Sequence, residues 1–388
     1  MRSVSVLCLL ALASVSLFAQ TAIVVDHYST NPDSIPPAYL DSVRTRFRIG
    51  YGHTSHGSQL ITGWEALRAF PGGKFTFTST SSGLHQGVFL NDYWPSPAGG
   101  ADLGAGGDLT WRNATRTMLN NATNDRNVVI WSWCGGVSSN TTAGIDAYLT
   151  AMDSLEKQYP GVRFIYMTGH LDGSGSAGTL AQMNSRIRQY CTSHGKLLFD
   201  FADIESYSPG SSQSVMTLMA DDNCDYDSDA NGSRDKNWAA TWVAANPTTR
   251  LASLASACGS CAHSQQLNCV LKGTAFWWLL ARMAGWPGTT TTTAVSPSGV
   301  PLRTMLHQNY PNPFNPATRI SLTIGERQLA TVSLFDMLGR EVAILMNEVK
   351  DPGTYTLDFN GTGLASGVYY CRMRAGGTTQ TRATMLVR

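Results

Sequence analysis

Residues 144–167 contain Gly144-Ile-Asp-Ala-Tyr-Leu-Thr-Ala-Met-Asp-Ser-Leu-Glu-Lys-Gln-Tyr159 and then, after Pro160 and Gly161, Val162-Arg-Phe-Ile-Tyr-Met167. In the first part, apolar side chains recur every three or four positions, as on one face of a helix. The second part is a short apolar run rich in β-branched and aromatic residues, which is typical of a buried strand. A similar run, Val128–Trp133, precedes the helix. Strand, helix and strand in this order predict a βαβ unit with a right-handed crossover.

The same alternation continues on both sides of this unit. Strand-like runs occupy Phe47–Tyr51 and Leu197–Phe201, and helical patterns occupy Ser58–Phe70 and Gly178–His194. A last helix, Gln265–Ala284, is apolar nearly all round and is expected to pack deep in the domain. We therefore predict an α/β domain over residues 21–286, with three α/β/α layers and a mostly parallel, flavodoxin-like sheet.

Length and composition favour two globular domains. The chain has 388 residues, of which 43% are hydrophobic, so it can form more than one core. Its net charge of +1 gives no reason to expect nucleic acid or an anionic membrane as a partner. Residues 287–304 contain five consecutive threonines with Ser, Pro and Gly, and they predict a linker.

The start of the chain predicts export. Its first residues include one early Arg, an apolar run from Val4 to Phe18 and the small residue Ala19. This run is too short to span a bilayer, and we predict a signal peptide over residues 1–19. The later apolar segment Val270–Ala284 is interrupted by Lys272 and Arg282, so we expect a buried helix there and no transmembrane segment in the mature chain.

The C-terminal region carries four motifs in a characteristic order. They are Asn309-Tyr-Pro-Asn-Pro-Phe-Asn-Pro-Ala-Thr-Arg-Ile320, Val332-Ser-Leu-Phe-Asp-Met-Leu-Gly-Arg340, Pro352-Gly-Thr-Tyr355 and Leu364-Ala-Ser-Gly-Val-Tyr369. Their order and spacing resemble the type A C-terminal sorting domain of the type IX secretion system of Bacteroidota-like bacteria. The resemblance implies passage through the periplasm, interaction with the type IX machinery, and a secreted or cell-surface location.

Residue patterns independently predict a small all-β sandwich over residues 305–388. Short alternating runs are separated by Gly, Pro and Asn turns, as an antiparallel sandwich requires. These runs are Ile320–Ile324, Thr331–Phe335, Thr354–Phe359 and Val368–Met373.

Cysteine usage also fits an oxidising compartment. The α/β region holds six cysteines, for which we expect one to three disulfides. Cys258, Cys261 and His263 could instead begin a zinc site, although no second ligand pair is evident at a set spacing. Cys371 lies on a predicted strand and is expected to be a buried free thiol. The six cysteines of the α/β region are Cys134, Cys191, Cys224, Cys258, Cys261 and Cys269.

Polar loops follow four of the predicted strands. Ligands of open parallel sheets bind beyond the carboxyl ends of the strands, so these loops predict a site at one edge of the sheet. The loops are Gly52-His-Thr-Ser-His-Gly57, Cys134-Gly-Gly136, Thr168-Gly-His-Leu-Asp-Gly173 and Asp200-Phe-Ala-Asp203.

The order of these blocks resembles the SGNH (GDSL-like) hydrolases over roughly residues 45–285. The resemblance implies a serine esterase acting on acyl or acetyl groups, with polysaccharide esters as a substrate class. Ser55, in a Gly-flanked turn, would be the nucleophile, and His263, directly before the last helix, would be the base. Gly135 and Asn140 would be the oxyanion donors.

The chain also departs from the family pattern. Thr54 takes the position before the serine, where the family has Asp, and Ser260 stands where the family has Asp three residues before the catalytic His. His263 would then need another orienting group, such as Asp203 or Asp222. These departures keep a second hypothesis open, in which a non-catalytic, glycan-binding surface module retains the fold.

The histidines allow a third hypothesis, a metallohydrolase. Imidazole and carboxylate ligands at one sheet edge suit zinc or iron and could activate a water molecule. For the esterase hypothesis, in contrast, we expect that catalysis requires no cofactor. The candidate ligands are His53, His56, His170, Asp172 and His263. A sugar-stacking surface or a core role is open for Trp64, Trp94, Trp111, Trp131 and Trp133.

A separate acidic segment is similar to a calcium loop. Asp227, Asp229 and Asn231, with Asp235 at the ninth position, follow the EF-hand spacing, but Trp238 stands where the loop needs its last Glu. We expect either a structural calcium site or a solvated acidic loop, and we assign the segment no catalytic role.

Overall fold

The computed structural model describes residues 22–96, 103–211, 213–288, 304–325, 328–350 and 353–387. The predicted signal peptide lies outside these residues, as does all of the predicted linker except its first two residues and its last one. Within the described ranges, none of the helices combines the length and the apolar character that a membrane span needs.

The N-terminal domain is built on a seven-stranded sheet. Every strand pairing in it is parallel, and the spatial order is 1-7-6-5-2-4-3. A separate two-stranded ribbon is formed by two further short strands. The strands are β1 (Ile23–Val25), β2 (Ile49–Gly52), β3 (Ser79–Thr80), β4 (Leu90–Asp92), β5 (Val128–Trp131), β6 (Arg163–Met167) and β7 (Leu197–Phe199), with β8 (Asp225–Tyr226) and β9 (Lys236–Asn237) in the ribbon.

Helices connect these strands and cover the sheet. The predicted amphipathic helix between β5 and β6 is present, and its stripe from Ile145 to Leu155 is buried. Thr141 begins this helix by accepting a hydrogen bond from the Gly144 N–H. The helices are α1 (Pro37–Arg46), α2 (Ser58–Leu67), α3 (Thr110–Leu119), α4 (Thr142–Gln158), α5 (Thr179–Ser193), α6 (Phe201–Glu205), α7 (Trp238–Ala245), α8 (Arg250–Ala257) and α9 (Gln266–Met283).

The helices form two sets. α9 packs against α1, α2, α6, α7 and α8, whereas α4 packs between α3 and α5. Strands β2, β5 and β7 are buried along their whole length, as expected for a parallel sheet with both faces covered. The architecture therefore agrees with the predicted α/β domain with a mostly parallel sheet.

α9 is the central helix of its layer, and every residue from Leu267 to Ala281 is buried. It crosses α2 at close range because both helices carry a glycine at the contact. A Cβ atom on Gly63 would lie 1.8 Å from the Cys269 carbonyl oxygen, and one on Gly273 would lie 2.6 Å from the Gly63 carbonyl carbon. This close crossing fixes α2, whose N-terminus follows the predicted serine loop.

The C-terminal domain is all-β and antiparallel. One sheet has three strands in the order 10-11-14 and the other has four in the order 13-12-15-16, and the core between them contains Leu322, Val332 and Met373. All four predicted runs are strands, which confirms the all-β prediction. The strands are β10 (Met305–Leu306), β11 (Ala317–Ile324), β12 (Gln328–Phe335), β13 (Glu341–Lys350), β14 (Gly353–Asn360), β15 (Gly367–Ala375) and β16 (Thr378–Leu386).

Candidate functional site

The candidate site lies at the crevice between β2 and β5. From β2 the chain continues to β3 and β4 on one side of the sheet, and from β5 it continues to β6 and β7 on the other. Such a topological switch point leaves a crevice beyond the carboxyl ends of the two strands, where open α/β sheets bind ligands. The loop His53–Gly57 follows β2, and Cys134 follows β5 after Ser132 and Trp133.

Three side chains from three loops form a hydrogen-bonded relay in this crevice. His56 Nδ1 lies 3.0 Å from Cys134 Sγ, and His56 Nε2 lies 2.8 Å from Asp222 Oδ2. The Ser55 hydroxyl also contacts the thiol, at 3.3 Å. We call Cys134, His56 and Asp222 the thiol relay.

Close packing holds the first loop against the end of β5. A Cβ atom on Gly57 would lie 2.3 Å from His53 Cβ and 2.4 Å from Ser132 Oγ, so no larger residue fits there without movement. The Tyr51 hydroxyl donates to the Gly57 carbonyl at 2.8 Å. This glycine lets the loop approach β5 closely enough for His56 to reach the thiol.

Three imidazole rings are stacked at the site. The His170 ring lies 3.7 Å from the His56 ring at an interplanar angle of 3°, and the His263 ring lies 4.5 Å from His56 at 15°. His170 Nδ1 is 2.8 Å from the Leu171 carbonyl oxygen, and its Nε2 accepts from the Gly135 N–H at 3.2 Å. These partners assign the neutral tautomer with hydrogen on Nδ1, and burial lowers the pKa of His170.

The relay polarises its own members. The hydrogen bond with His56 lowers the pKa of Cys134 to about 7 against the opposing effect of partial burial, with further help from Ser55 and Thr54. Burial alone would lower the pKa of His56, but the hydrogen bonds to Asp222 and Cys134 outweigh it and raise that pKa to about 9. Burial opposes ionisation of Asp222, yet the hydrogen bond from His56 and the nearby imidazoles keep its pKa below the ordinary value. Between about pH 7 and pH 9 the pair is therefore mainly a thiolate beside an imidazolium, as in an activated nucleophile.

Backbone strain is concentrated around the same crevice. Among the described non-glycine residues, positive φ values occur at five positions, and four of them lie in loops of the site. Tyr93 follows β4, Met219 and Cys224 flank Asp222, and His263 precedes α9. A non-glycine residue with positive φ raises the free energy of the folded state. Such residues persist where the surrounding structure holds them in place, and they cluster at functional sites.

Most of the residues predicted from the serine-hydrolase resemblance meet in this crevice. Ser55 contacts Cys134, Gly135 donates to His170, and His263 stacks on His56. The Asn140 amide joins two loops, because Nδ2 donates to the carbonyls of Gly104 at 3.3 Å and Gly136 at 3.0 Å. The roles predicted for these residues stay predictions.

The two carboxylates considered as orienting groups separate in the structure. Asp222 joins the site, where it contacts His56, whereas Asp203 is paired with His27 at 2.5 Å. Of the other candidate metal ligands, His53 pairs with Asp92 at 2.6 Å, and Asp172 accepts from the Ser174 hydroxyl at 2.6 Å.

The contact of Cys134 with His56 is the main feature of the site that the sequence patterns do not indicate. In an exported chain with six cysteines in one domain, Cys134 was counted among the disulfide candidates. One sequence feature could have indicated Cys134. It directly precedes Gly135 and Gly136 in the loop after a predicted buried strand, and that loop was already predicted to belong to the site.

One disulfide is present among the described cysteines, and it joins Cys261 to Cys269. It ties the loop of His263 to the first turn of α9, and it leaves Cys261 unavailable for the zinc site considered with Cys258. Cys371 is a buried free thiol on β15, as predicted. The other free cysteines are Cys134, Cys191, Cys224 and Cys258.

Two groups in the described residues have ligand atoms close enough to hold a metal ion. One is His56, Asp222 and His263, and the other is Asp227, Asp229 and Asp235 of the predicted calcium loop. In the loop, Asp227 accepts the Gly232 N–H at 2.7 Å, and the Asn231 side chain bonds to Asp229. The calcium prediction, which included Asn231, stays a prediction.

The tryptophans considered for sugar stacking are core residues. Trp64, Trp111, Trp131 and Trp133 are buried, and Trp94 is half-buried. Their indole rings pack inside the domain, so these four buried rings cannot meet a polysaccharide at the surface.

Comparisons with known proteins address the C-terminal domain. Residues 308–387 match the family model of the secretion system C-terminal sorting domain. No curated protein matches the chain. The solved structures include PorZ, an essential bacterial surface component of the type IX secretion system of Porphyromonas gingivalis, at 21% identity over 22% of this chain and 11% of PorZ, with a TM-score of 0.16.

Two endo-β-1,4-mannanases also match over most of the chain. The Cellulomonas fimi enzyme, a double mutant, is 12% identical, with 86% of this chain and 59% of the enzyme covered and a TM-score of 0.20. The Thermotoga petrophila enzyme is 10% identical, with 86% and 61% covered and a TM-score of 0.19. This chain thus spans about three fifths of the mannanases' length, and at these TM-scores the likenesses carry no argument about fold or function.

The family match confirms the sorting-domain part of the sequence prediction, and the resemblance of the α/β domain to SGNH hydrolases remains a prediction. The chain carries a C-terminal sorting domain of the type IX secretion system, which implies interaction with that machinery and a secreted or cell-surface protein.

Proposed function

We propose that the α/β domain is an acyl hydrolase that cleaves ester bonds with Cys134 as its nucleophile. The single observation that supports this most directly is the relay in which one imidazole contacts a thiol at 3.0 Å and a carboxylate at 2.8 Å. A nucleophile, a base and a group that orients the base are the three parts of such a catalytic unit, whatever their order in the chain.

The proposed reaction has two halves. The thiolate of Cys134 attacks the acyl carbon and forms a tetrahedral oxyanion, and the imidazolium of His56 gives its Nδ1 proton to the departing alcohol oxygen. This step leaves a thioester on Cys134 and a neutral imidazole. Water then attacks the thioester while His56 Nδ1 accepts its proton, and collapse of the second oxyanion releases the carboxylic acid and restores the thiolate–imidazolium pair.

Asp222 and a loop donor have supporting roles in this proposal. Asp222 faces His56 Nε2, so it orients the ring and stabilises its charged form. The Ser55 hydroxyl lies beside the thiol and is the donor that we assign to the developing oxyanion, because the Gly135 N–H is already bonded to His170. Losing one such donor typically costs about 3–4 kcal/mol of transition-state stabilisation.

Site-resolved alkylation of the full chain tests the nucleophile. We expect iodoacetamide at pH 7 to modify Cys134 far faster than the other four free thiols of the described residues, which serve as internal controls. Burial raises the pKa of Cys258 to about 11 and that of Cys224 and Cys371 to about 12, and it raises the pKa of Cys191 as well. Mass spectrometry of the peptides reports all five thiols in one sample.

Activity is measured on 4-methylumbelliferyl acetate with Cys134→Ser and Ser55→Ala. The proposal requires that Cys134→Ser lose hydrolysis while Ser55→Ala retain a measurable part of it. If a fluorophosphonate labels Ser55 and Ser55→Ala abolishes turnover, the serine mechanism predicted from the SGNH resemblance replaces ours. A folded protein with neither thiol nor serine reactivity would instead favour the non-catalytic surface module.

A metal-dependent hydrolase is the second candidate, because the ligand atoms of His56, Asp222 and His263 lie within 4.8 Å of one another. A metal held there would supply an activated water molecule for hydrolysis. Since His56 Nε2 cannot bind a metal and donate to Asp222 together, the two candidates exclude each other. Stoichiometric zinc or iron by elemental analysis, lost in His263→Ala and accompanied by a slowly alkylated Cys134, would support the metal and contradict the thiol relay.

A further inference from the structure

The loop after β4 presents an aromatic side chain beside the thiol relay. Tyr93 is 45% exposed, and its backbone has φ of 55°. Positive φ is a genuine outlier for a bulky aromatic residue, and such outliers point to a functional constraint. An exposed ring held in a strained conformation needs an explanation other than core packing.

The ring of Tyr93 is supported from one side. It lies 4.1 Å from the ring of His53, which is itself held by Asp92 at 2.6 Å. Asp92 Oδ1 also accepts the Tyr93 N–H at 3.2 Å, so one carboxylate fixes both the strained residue and the ring beneath it. The exposed face of Tyr93 is therefore a rigid platform that needs little ordering when a ligand binds.

The platform and the nucleophile both contact the loop His53–Gly57. The His53 ring lies tilted against the Tyr93 ring, while Ser55 and His56 contact Cys134. Because β4 and β2 are neighbouring parallel strands, their following loops lie at the same edge of the sheet. A molecule whose ester reaches Cys134 can thus extend over Tyr93.

We propose that Tyr93 is the stacking platform of a carbohydrate subsite, and that it binds a pyranose ring of a polysaccharide that carries the ester. A pyranose with equatorial substituents presents an apolar C–H face to an aromatic ring and hydroxyls at its rim. Tyrosine offers the apolar ring and a polar tip that such a ligand needs. Asp92 uses Oδ1 for both His53 and Tyr93, and its Oδ2 is the acceptor that we assign to a rim hydroxyl.

This inference deepens the proposed function, since it names the substrate class of the same site. Four of the five tryptophans considered for sugar stacking are buried, so these four do not compete for this role. Tyr28 is also exposed, but it bonds to Ser321 of the C-terminal domain.

Binding is tested separately from catalysis by native affinity electrophoresis of the full chain. The gels contain acetylated xylan, acetylated glucomannan or the chemically deacetylated form of each. We expect retardation of the wild type and of Tyr93→Phe, and affinity about three- to tenfold weaker for Tyr93→Ala, which loses one aromatic contact. Tyr93→Gly removes the ring while relieving the strained backbone, so it distinguishes loss of the platform from misfolding. Tyr370→Ala, an exposed tyrosine of the other domain, is the matched control and should migrate like the wild type.

Hydrolysis gives the second readout. We expect Tyr93→Ala to show a raised KM on acetylated xylan or glucomannan. The Tyr370→Ala control should match the wild type within twofold on these polymers and on 4-methylumbelliferyl acetate, which has no sugar. The subsite is overturned if the wild type is not retarded in any gel, or if Tyr93→Ala and Tyr93→Gly bind as well as the wild type. Retardation that depends on Tyr93 in a protein without thiol reactivity would keep the subsite and remove the hydrolase.

Discussion

His56 Nδ1 lies 3.0 Å from the Cys134 sulfur, although 78 positions separate the two residues in the chain. The contact couples their ionisation, because each charged form stabilises the other. The pKa of Cys134 falls to about 7 and that of His56 rises to about 9, so both are charged in the window between these values.

We expect kcat/KM for ester hydrolysis to follow a bell-shaped pH profile. The rate should rise through about pH 7 as the thiolate forms and fall above about pH 9 as His56 loses the proton that the alcohol needs. The two limbs belong to the pair as a whole rather than to either residue. The alkylation rate of Cys134 should show the lower limb alone. A single rise centred near pH 8.5, as for an ordinary thiol, would contradict the relay.

Replacement of Asp222 tests the second half of the relay. Asp222→Asn removes the charge that keeps His56 protonated, so the pKa of His56 should fall and that of Cys134 should rise. We expect hydrolysis at pH 7 to drop by about 100-fold or more. Asp229→Asn, an exposed change in the same acidic segment, is the control and should stay within about twofold. Equal effects of the two variants would argue that Asp222 acts only on the fold of its loop.

A buried ion pair beneath the site should dominate the stability of this domain. The Lys272 amine contacts Glu205, and both side chains are at most 1% exposed. Lys272→Met leaves Glu205 buried without its cation, for which we expect a loss of about 3–5 kcal/mol in the free energy of unfolding. Lys157→Met, which breaks a pair with a 78% exposed amine, should change it by less than about 1 kcal/mol.

Tryptophan fluorescence in a urea titration gives this measurement for the α/β domain alone, because all ten tryptophans precede residue 287. The same pair is linked to the site. Glu205 accepts the Leu171 N–H at 2.7 Å, and Leu171 is the neighbour of His170. Gln59 also contacts Lys272. Its side chain donates to the Ala262 carbonyl, next to His263. If Lys272→Met and Lys157→Met unfold at the same urea concentration, the buried pair does not contribute the stability that we assign to it.

Removal of the disulfide should lower stability moderately. Cys261 and Cys269 close a loop with a sequence separation of 8, for which chain entropy gives about 2–3 kcal/mol. We expect the double change to serine to lower the urea midpoint with an unchanged slope. Cys191→Ser, a buried free cysteine, controls for loss of a buried sulfur. A midpoint unchanged from that of the wild type would show that the loop is held by packing alone.

Calcium removal tests the acidic segment. The carboxylates of Asp227, Asp229 and Asp235 converge, and a site of the extracellular class would bind with a Kd of about 0.1–1 mM. At 5 mM calcium we therefore expect stabilisation by about 1–2 kcal/mol relative to EGTA. Asp229→Asn should abolish the difference. Magnesium at 5 mM is the ionic-strength control. If the urea midpoint is the same in calcium, magnesium and EGTA, the segment is a solvated acidic loop and not a calcium site.

Local patterns were sufficient for the four central strands of the parallel sheet and for the helices α2, α4, α5 and α9. The helix α4 and strands β5 and β6 follow from the periodicity of residues 128–167, because burial of one face or both faces imposes that periodicity directly. Short edge strands such as β1 and β3 were not predicted, since two or three residues are too few to show a period. In the C-terminal domain, β13 and β16 were missed because their many exposed positions lack the apolar alternation of a half-buried strand.

For the candidate site, too, the sequence indicated some features and not others. The strand-end loops with Ser55 and Gly135 could be located from the sequence, since the carboxyl ends of parallel strands meet at one edge whatever the residues in between.

By itself, the amino-acid sequence determined the α/β class, the all-β C-terminal domain and the secretion route, because periodicity and short motifs are properties of neighbouring residues. Only the tertiary structure decided which side chains meet. Cys134, His56 and Asp222 come from loops that are distant in the chain, and their hydrogen bonds depend on strand order and on the close approach at Gly57. The pKa values of the thiol and the imidazole arise from that contact, which no local pattern encodes.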